Sequence, residues 1–454
     1  MAEHVSTLDI LSSVDGRDNK IVKNLQKQMS LRAYTENRVY FSIEYYNFIS
    51  KLLKKHLTFE VPRFEHFGMT DEHHNEILRL DSIKKHDVVA IIKFLSDYYA
   101  SIHANEYGMK FTGLIHFCLT SNDVNSYAYV RMLQDGIAVL QADGMDPFFG
   151  SMTKLIEQCH SLMPSRTHGQ KAPAAKMSSK LMNLTCTIVD FWSNIIDIAS
   201  KPMEIKMSGA IGEMNSFNFI NKLLPQDQQI DFNKELDQFV EKLGFVREKH
   251  TTQISRYAQT IAILTHLSNI ALKLTTLSKN LWEYIEHKYF KLKPVAGQAG
   301  SSTMSNKVNP VAIEKSVTCF TVTCALIPGI VRSIEDASLY DRTIGDSYAT
   351  RQVGFVFAMF LIGVKNLTND IDKLAINKEI MMRELVNNPQ IIIEGVQLAM
   401  KFDGMYDAYD QTCDFSRGKD DLSLETIREF IKKQKWQNQH IFDELMMLSP
   451  ETYV

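Results

Sequence analysis

The chain contains few of the residues that interrupt helices. Its 454 residues include 20 glycines and 11 prolines, about 7% of the total, whereas these two types usually make up roughly 12% of a soluble protein. Glycine and proline are the poorest helix formers, so their scarcity favours long helices. With 45% hydrophobic and 23% charged residues, the chain can bury a large core, which excludes disorder as its main state. The length predicts about three domains.

Cysteine is also scarce and dispersed. The six cysteines include no C-x-x-C pair, the spacing that is typical of zinc sites and of redox-active cysteines. A disulfide framework needs cysteines in an oxidising compartment. We therefore expect a reducing compartment and no metal site.

Neither a nucleic-acid partner nor a membrane is indicated by the sequence. Lys and Arg number 50 against 53 Asp and Glu, and no basic tract stands out, as nucleic-acid binding would require. The longest apolar run, residues 353–364, is 12 residues long, whereas a membrane span needs roughly 20. The first residues lack the basic and apolar regions of a signal peptide. We expect a cytoplasmic protein that acts on small molecules.

Two apolar seams predict long helices. Seven apolar residues from Met177 to Ile198 recur at spacings of 3 and 4, and a second such seam extends from Ile263 to Ile285. A continuous apolar stripe on a helix must be buried against other helices. We therefore expect both helices to exceed 25 residues and to form a bundle within or between subunits, with an elongated structural rod as the alternative.

Three polar or glycine-containing segments flank these helices: 164–170, 206–215 and 297–304. Binding residues concentrate on loops that rigid elements hold. The motifs of phosphate loops, zincins and serine hydrolases are absent, so the chemistry has to come from other patterns. Residues 300–310 combine hydroxyls, an ammonium group and an amide, which suits binding of a carboxylate and of the charge that develops during proton abstraction. A solvated polar loop is the alternative.

Three histidines, His86, His116 and His168, each lie beside small or polar residues. Any one of them alone is more simply interpreted as a structural or surface group. Their significance comes from their occurrence together with the polar segments above.

Blocks of polar residues follow one another in a fixed order: Ser-Val-Asp-Gly-Arg (13–17), Lys-His-Asp-Val (85–88), His-Phe-Cys-Leu-Thr-Ser (116–121), Ser-Arg-Thr-His-Gly-Gln (165–170), Thr-Thr-Gln-Ile (251–254), Gly-Ser-Ser-Thr-Met (300–304), Lys-Val-Asn-Pro (307–310), and Asp346-Ser347 with Arg351. With these blocks the chain resembles the adenylosuccinate lyase family, particularly its bacterial type, essentially from end to end. The block at 300–310 alone is similar to the wider fumarase/aspartase superfamily. The phosphate-side blocks indicate the nucleotide substrate.

The resemblance implies an all-α fold of fumarase/aspartase type, with three helical domains and a long-helix central bundle. We place the domains at 1–110, 111–356 and 357–454. The family forms homotetramers whose active sites are shared between subunits. It releases fumarate from adenylosuccinate, giving AMP, and from the succinyl-carboxamide ribotide SAICAR, giving AICAR, and it needs no cofactor or metal.

The resemblance also implies roles for particular residues. Ser301 corresponds to the general base and His168 to the general acid, while Lys307 and Asn309 stabilise the developing charge. Arg17, Ser347 and Arg351 correspond to phosphate contacts, with His86 and Asp87 nearby. The groups that hold the rest of the substrate are Thr120, Ser121, Thr167, Gln253 and Arg342, together with His116, Ser302 and Met304.

The chain departs from the family pattern at a few positions. Asp18 stands where the family has tyrosine. We expect its carboxylate to point outward, toward Lys20 or Lys23, with an orientation into the phosphate site as the alternative. Ser305 and Asn306 replace two residues of the catalytic loop. These departures keep two alternatives open: another fumarate-releasing lyase, such as an argininosuccinate lyase, or a catalytically impaired homologue that serves as a helical scaffold.

Overall fold

The fold is described here from a computed structural model. It describes residues 14, 16–294, 304, 307–335, 338–339, 342–343, 346–419 and 422–454, with backbone alone at 338–339, 342–343 and 346–347. Most of these residues are helical and the strands are few and short. The prediction of an all-α, multi-domain fold is confirmed.

The helices of the described residues follow one another in chain order. The first nine are α1 (Asn19–Met29), α2 (Leu31–Leu53), α3 (Asp71–Lys84), α4 (Asp87–Tyr107), α5 (Ser121–Leu140), α6 (Asp146–Gln158), α7 (Met177–Ala199), α8 (Asn215–Leu223) and α9 (Phe232–Lys242). The others are α10 (Ala258–Glu286), α11 (Val311–Glu335), α12 (Asp346–Arg351), α13 (Val353–Ile371), α14 (Lys378–Val386), α15 (Ile393–Phe402), α16 (Ala408–Ser416), α17 (Leu424–Lys432) and α18 (Gln439–Met447).

Short strands pair in two-stranded sheets. The strands are β1 (Leu162–Thr167), β2 (Gln170–Lys176), β3 (Glu204–Ile205), β4 (Val246–Arg247), β5 (Phe290–Leu292), β6 (Ser338–Leu339), β7 (Arg342–Thr343) and β8 (Leu374–Ile376). The β3–β4 pair is parallel, whereas β1–β2, β5–β8 and β6–β7 are antiparallel. A two-stranded ribbon is marginal alone, so each depends on the helices around it.

The two heptad seams lie on α7 and α10. In α10, which has 29 residues, six of the seven seam residues are buried, as the 3.6-residue period of a helix requires. The expectation of more than 25 residues is wrong for α7, which has 23. The helix begins only at Met177 because residues 170–176 pair as strand β2 instead of extending the helix. The segment 164–170 is accordingly a β-hairpin and not a loop.

The chain divides into two compact units, each described here by itself. Unit 1 comprises Met1–Asp146, Val189–Leu274 and Thr318–Lys365, and unit 2 comprises Pro147–Ile188, Thr275–Val317 and Asn366–Val454. In unit 1, α2 packs along α5 and α3 packs along α4. The three-domain division stays a prediction.

Aromatic side chains fill part of the unit 1 core. The ring of Phe64 is stacked between those of Tyr46 and Tyr99, with centroid distances of 3.5 Å to each. Aromatic rings bury large areas and stack with favourable geometry.

A buried apolar cluster of unit 2 is formed by its C-terminal helices. Its members include Leu385, Ile392, Val396, Met400, Ile427 and Ile431.

Among the residues that the structure describes, α10 and α11 are long and apolar enough to cross a membrane by length and composition. In their most apolar windows 44% and 33% of the residues are buried inside the protein. Core helices of soluble bundles have the same composition, because a helix surrounded by other helices is apolar on several faces.

Close helix packing in unit 1 predicts the effect of one substitution. A Cβ atom added at Gly363 would lie 2.6 Å from Cε1 of Phe320 and 3.1 Å from Cβ of Cys319, and the Phe320 side chain is fully buried. Gly363→Ala is therefore expected to destabilise the protein by about 1–3 kcal/mol through overpacking. Differential scanning calorimetry should report a lower unfolding temperature.

Gly150→Ala is the matched control. Gly150 also lies within a helix, α6, and no described atom approaches within 4 Å of an added Cβ. Alanine is the better helix former, by up to about 1 kcal/mol, so this variant should be as stable as the parent or more stable. Equal unfolding temperatures for Gly363→Ala and the parent would contradict the packing argument.

Candidate active site

His168 lies at the tip of the β1–β2 hairpin in unit 2. The strands pair Thr167 with Gln170, so His168 and Gly169 form a two-residue turn, with φ of 52° and 76°. Two left-handed residues define the hairpin turn whose twist matches that of the strands. Glycine adopts this conformation freely, whereas histidine does so at a cost. The turn leaves the imidazole exposed and able to reach a ligand.

The hairpin contains a bulge at Pro173, where the register of the two strands shifts. The pairing changes from Pro164–Ala174 to Ser165–Ala172, which leaves Pro173 as the extra residue of a bulge. Proline has no amide hydrogen to donate, and bulges are among the few strand positions that tolerate it. The segment 164–170, which the sequence analysis expected to be a loop, is therefore part of a paired hairpin.

Thr120 and Ser121 lie where α5 begins in unit 1. The backbone amide of Thr120 donates to Oδ2 of Asp123 at 2.7 Å, so Asp123 caps the helix from its third position. The other oxygen, Oδ1, accepts from Nζ of Lys206 at 2.6 Å and from the amide of Ser208 at 3.0 Å. Both Asp123 and Lys206 have fully buried side chains.

The Lys206 ion pair was missed by the sequence analysis. Its ammonium group also donates to the carbonyl of Gly209 at 2.6 Å, so that a buried charge is paired and hydrogen-bonded, as burial requires. The spacing Thr-Ser-Asn-Asp at 120–123 before an apolar run is a capping-box signature and could have identified Asp123. Nothing in the sequence connects it to Lys206, 83 residues away.

The glycine-containing segment 206–215 packs against residues 251–254. Oγ of Ser208 and Oγ1 of Thr251 share a hydrogen bond of 2.6 Å. A Cβ at Gly212, where φ is 88°, would lie 2.1 Å from the carbonyl oxygen of Thr251, so only glycine fits. A cleft of about 850 Å³ is lined by residues of both segments, among them Gly212 and Thr251, and by residues of α10 and α11. The half-buried Gln253 belongs to the same segment.

Asp87 is bound by two arginines of unit 1. Its Oδ2 accepts from Arg38 and from Arg351, each at 2.8 Å, and its Oδ1 accepts from the amide of Val88 at 2.9 Å. Burial alone would raise the pKa of Asp87, but the two guanidinium groups and the hydrogen bonds hold that pKa below its ordinary value. The carboxylate therefore stays charged at neutral pH and fixes Arg351 in place. His86 precedes it and is half exposed.

The imidazole of His116, on which His86 and Asp123 act electrostatically, is uncharged at neutral pH. Burial lowers its pKa to about 4, an effect that His86 increases and Asp123 opposes. At pH 7 the ring can therefore donate one hydrogen bond and accept another. His116 and Cys118 both have left-handed backbones, with φ of 64° and 61°. Such strained residues persist where the surrounding structure determines them.

The described residues of the segment 300–310 lie in unit 2. Met304, Lys307 and Asn309 are exposed, and the amide of Lys307 donates to the carbonyl of Met304 at 3.1 Å. Ser301 and Ser302 lie outside the described residues. For Arg342 and Ser347 the backbone alone is described, in β7 and α12.

At the N-terminal phosphate block, Arg17 is exposed. Asp18 is not: its side chain is buried, with 6% exposure. The expectation that Asp18 points outward is wrong, because the residue is buried at the N-cap position of α1.

The predicted site residues thus form two groups. Unit 1 contains Arg17, His86, Asp87, His116, Thr120, Ser121, Gln253 and Arg351. Unit 2 contains Thr167, His168, Met304, Lys307 and Asn309. Over the described residues, no group of three or more His, Cys, Asp or Glu side chains is placed to hold a metal ion.

The buried Asp123–Lys206 pair generates a prediction on stability. Asp123→Asn leaves the ammonium group buried without its counter-charge, which costs about 3–5 kcal/mol. The double variant Asp123→Asn/Lys206→Met removes both charges and is expected to recover part of that loss. Chemical denaturation of the three proteins measures both effects.

An exposed pair supplies the control. Asp197 and Lys201 lie 2.7 Å apart, with more than half of each side chain exposed. Asp197→Asn should cost less than about 1 kcal/mol. A loss for Asp123→Asn no larger than this control would contradict the role given to burial.

Comparisons with known proteins extend over almost the whole chain. Residues 69–329 match a family model described as Lyase, and residues 338–454 match one described as Adenylosuccinate lyase C-terminal. The adenylosuccinate lyase of Legionella pneumophila (strain Corby) is 28% identical over 99% of this chain and 97% of its own length. That of Escherichia coli (strain K12) is 26% identical over 94% and 92%.

Solved structures share the fold at lower identity. A fumarate lyase from Mesorhizobium sp. BNC1 superposes with a TM-score of 0.69 at 15% identity, covering 95% of each chain. A 3-carboxy-cis,cis-muconate lactonizing enzyme from Pseudomonas putida gives 0.69 at 14% identity, covering 94% of this chain and 93% of its own. The lyase model spans more than half of the chain and the C-terminal model follows it. The chain therefore belongs to the adenylosuccinate lyase family, a family of carbon–nitrogen lyases within the fumarase/aspartase superfamily.

Proposed function

We propose that the chain eliminates fumarate from adenylosuccinate, giving AMP, and from SAICAR, giving AICAR. The observation that carries the proposal is the similarity over 99% of the chain to an adenylosuccinate lyase. The polar blocks of the sequence also follow the order that resembles the family pattern. These substrates and products are small molecules, and the activity belongs to purine nucleotide synthesis. The reaction breaks one C–H and one C–N bond and forms the double bond of fumarate.

Two groups move protons in this proposal. Ser301 takes the proton from the succinyl carbon next to a carboxylate, and His168 gives a proton to the departing nitrogen. The exposed turn supports the role of His168, because an imidazole held at a hairpin tip can reach a substrate. Lys307 and Asn309 stabilise the negative charge that builds up on the carboxylate. Ser302 and Met304 bind the substrate in the proposed complex.

Positive charge holds the phosphate in the proposed complex. Arg17 and Arg351 bind it with Ser347 and His86, because planar guanidinium groups form paired hydrogen bonds with phosphate oxygens. Asp87 contributes indirectly, since it already accepts from Arg351 at 2.8 Å. The succinyl and base portions are held by Thr120, Ser121, Thr167, Gln253, Arg342 and the neutral His116.

The proposal extends to assembly and location. The enzyme is a cytoplasmic homotetramer with shared active sites, and it uses no metal, cofactor, nucleic acid or membrane. Apolar side chains on the long helices support association, since Met182, Val189 and Val311 are between 40% and 59% exposed in one subunit. Exposed apolar surface on long bundle helices is typical of a protein interface.

The roles of the two proton-transfer groups predict large effects on turnover. Ser301→Ala and His168→Ala should each lower kcat about a hundredfold or more, since each removes a positioned acid or base. Turnover is measured by the ultraviolet change on cleavage of adenylosuccinate. His440→Ala, which changes an exposed histidine on α18, is the control and should retain normal kcat. Near-normal turnover of either active-site variant would refute its assigned role.

The same assay separates the possible functions. The parent should cleave adenylosuccinate and leave argininosuccinate intact. Cleavage of argininosuccinate alone would identify another lyase of the superfamily. Loss of both activities in a folded, assembled protein would identify a catalytically impaired scaffold.

The assembly predicts a measurable mass. Light scattering on the purified protein should give about four times the subunit mass of 52.0 kDa, because apolar helix faces left exposed by one subunit are covered in a bundle of several. A monomer that is stable and active in dilute solution would be inconsistent with both the interface and the shared sites.

A further inference from the structure

Glu384, on α14, contacts both strands of the hairpin that carries His168. Its Oε1 accepts from Arg166 of β1 at 2.9 Å and from Lys171 of β2 at 3.1 Å. Its Oε2 accepts from the hydroxyl of Tyr289. We propose that Glu384 is a positioning residue that fixes the hairpin, and through it the His168 imidazole, for the lyase reaction.

The pairing of the strands shows why a carboxylate is needed at this place. Arg166 and Lys171 are direct partners across the hairpin, one rung below the pair next to the turn. Partners that face each other across two strands lie within about 5.5 Å, and like charges there are destabilising. The Glu384 carboxylate lies between the two cations and converts their repulsion into a bridge between the strands.

The electrostatic surroundings keep this bridge charged. Burial alone would raise the pKa of Glu384, but the hydrogen bonds from Tyr289 and Lys171 and the positive charges of Lys171 and Arg166 hold it below its ordinary value. Since a lowered pKa stabilises the folded state above the unfolded pKa, the bridge persists through neutral pH and is lost only in acid. The Arg166 guanidinium also lies 5.9 Å from the centre of the Tyr289 ring.

The turn itself needs such support. His168 occupies a left-handed conformation, φ 52°, which a histidine adopts only when the surrounding structure imposes it. A shift of the register by one residue would turn every side chain of the hairpin to the opposite face. Two ion pairs from one carboxylate to both strands oppose such a shift. The importance of this bridge for turnover rests on the proposed function, in which His168 is the acid.

The experiment compares Glu384→Gln with three further proteins. Lys171→Gln removes the cross-strand repulsion and the Lys171–Glu384 pair but keeps the Arg166–Glu384 pair. Lys171→Gln/Glu384→Gln removes the repulsion and the bridge together. Glu379→Gln changes an exposed carboxylate on the same helix and is the matched control.

Two readouts are measured on the assembled protein, kcat with KM for adenylosuccinate, and hydrogen exchange of the amides of residues 162–176. Glu384→Gln should lower kcat about tenfold or more, while KM should change less than about threefold. The amides of the hairpin should exchange faster than in the parent, whereas the exchange of the amides of α15 to α18 should not change. Misplacement of a catalytic group by a fraction of an ångström accounts for losses of this size. Glu379→Gln should resemble the parent. Lys171→Gln removes one ion pair together with the repulsion, so its loss should be smaller than that of Glu384→Gln, and the double variant should recover part of the loss.

The outcomes separate the bridge from the proposed function. Unchanged hairpin exchange and kcat in Glu384→Gln would overturn the proposal, and so would a loss in the double variant equal to that in Glu384→Gln. If Glu384→Gln does not fold, the double variant, in which Arg166 no longer faces a second cation, is compared with Lys171→Gln, and equal hairpin exchange and kcat in these two proteins would overturn the proposal. If the parent has no lyase activity or His168→Ala retains it, the proposed function fails, while hydrogen exchange still tests the bridge.

Discussion

The buried ion pair between Asp123 and Lys206 is the interaction on which the arrangement of unit 1 depends. One carboxylate caps α5 through the amide of Thr120 and binds both Lys206 and the amide of Ser208. Two chain segments, 120–123 and 206–208, therefore meet at a single charge. Because a buried carboxylate without these partners would be prohibitively costly, the polar segment 206–209 can adopt only the conformation that supplies them.

The same principle recurs at the other charged groups of the site. Asp87 is satisfied by Arg38 and Arg351, and in unit 2 Glu384 is satisfied by Arg166 and Lys171. In each case one carboxylate binds two cations. The carboxylate also fixes where the two cations lie.

Backbone strain is concentrated in the same segments. His116, Cys118, His168 and Met214 all have left-handed conformations although none is glycine. Each lies within or beside a polar block that the sequence had indicated as functional. Strain of this kind persists only when surrounding contacts determine the backbone, and the ion pairs near His116 and His168 are such contacts. Rigid presentation of a side chain is what acid–base chemistry requires.

The sequence by itself determined the helical class, since the period of the apolar residues from Ile263 to Leu281 corresponds to a buried helix face. It also determined the family, because the polar blocks are local in the chain. It did not reveal the hairpin at 162–176, because residues 164–170 were expected to form a loop and their pairing partners lie on a second strand. Only the tertiary structure decided the partners of the site residues: Asp123 with Lys206, Arg166 with Glu384, and Asp87 with Arg351, which lie 83, 218 and 264 residues apart. Such pairs have no local signature, because their energy depends on burial and distance, which exist only once the chain has folded.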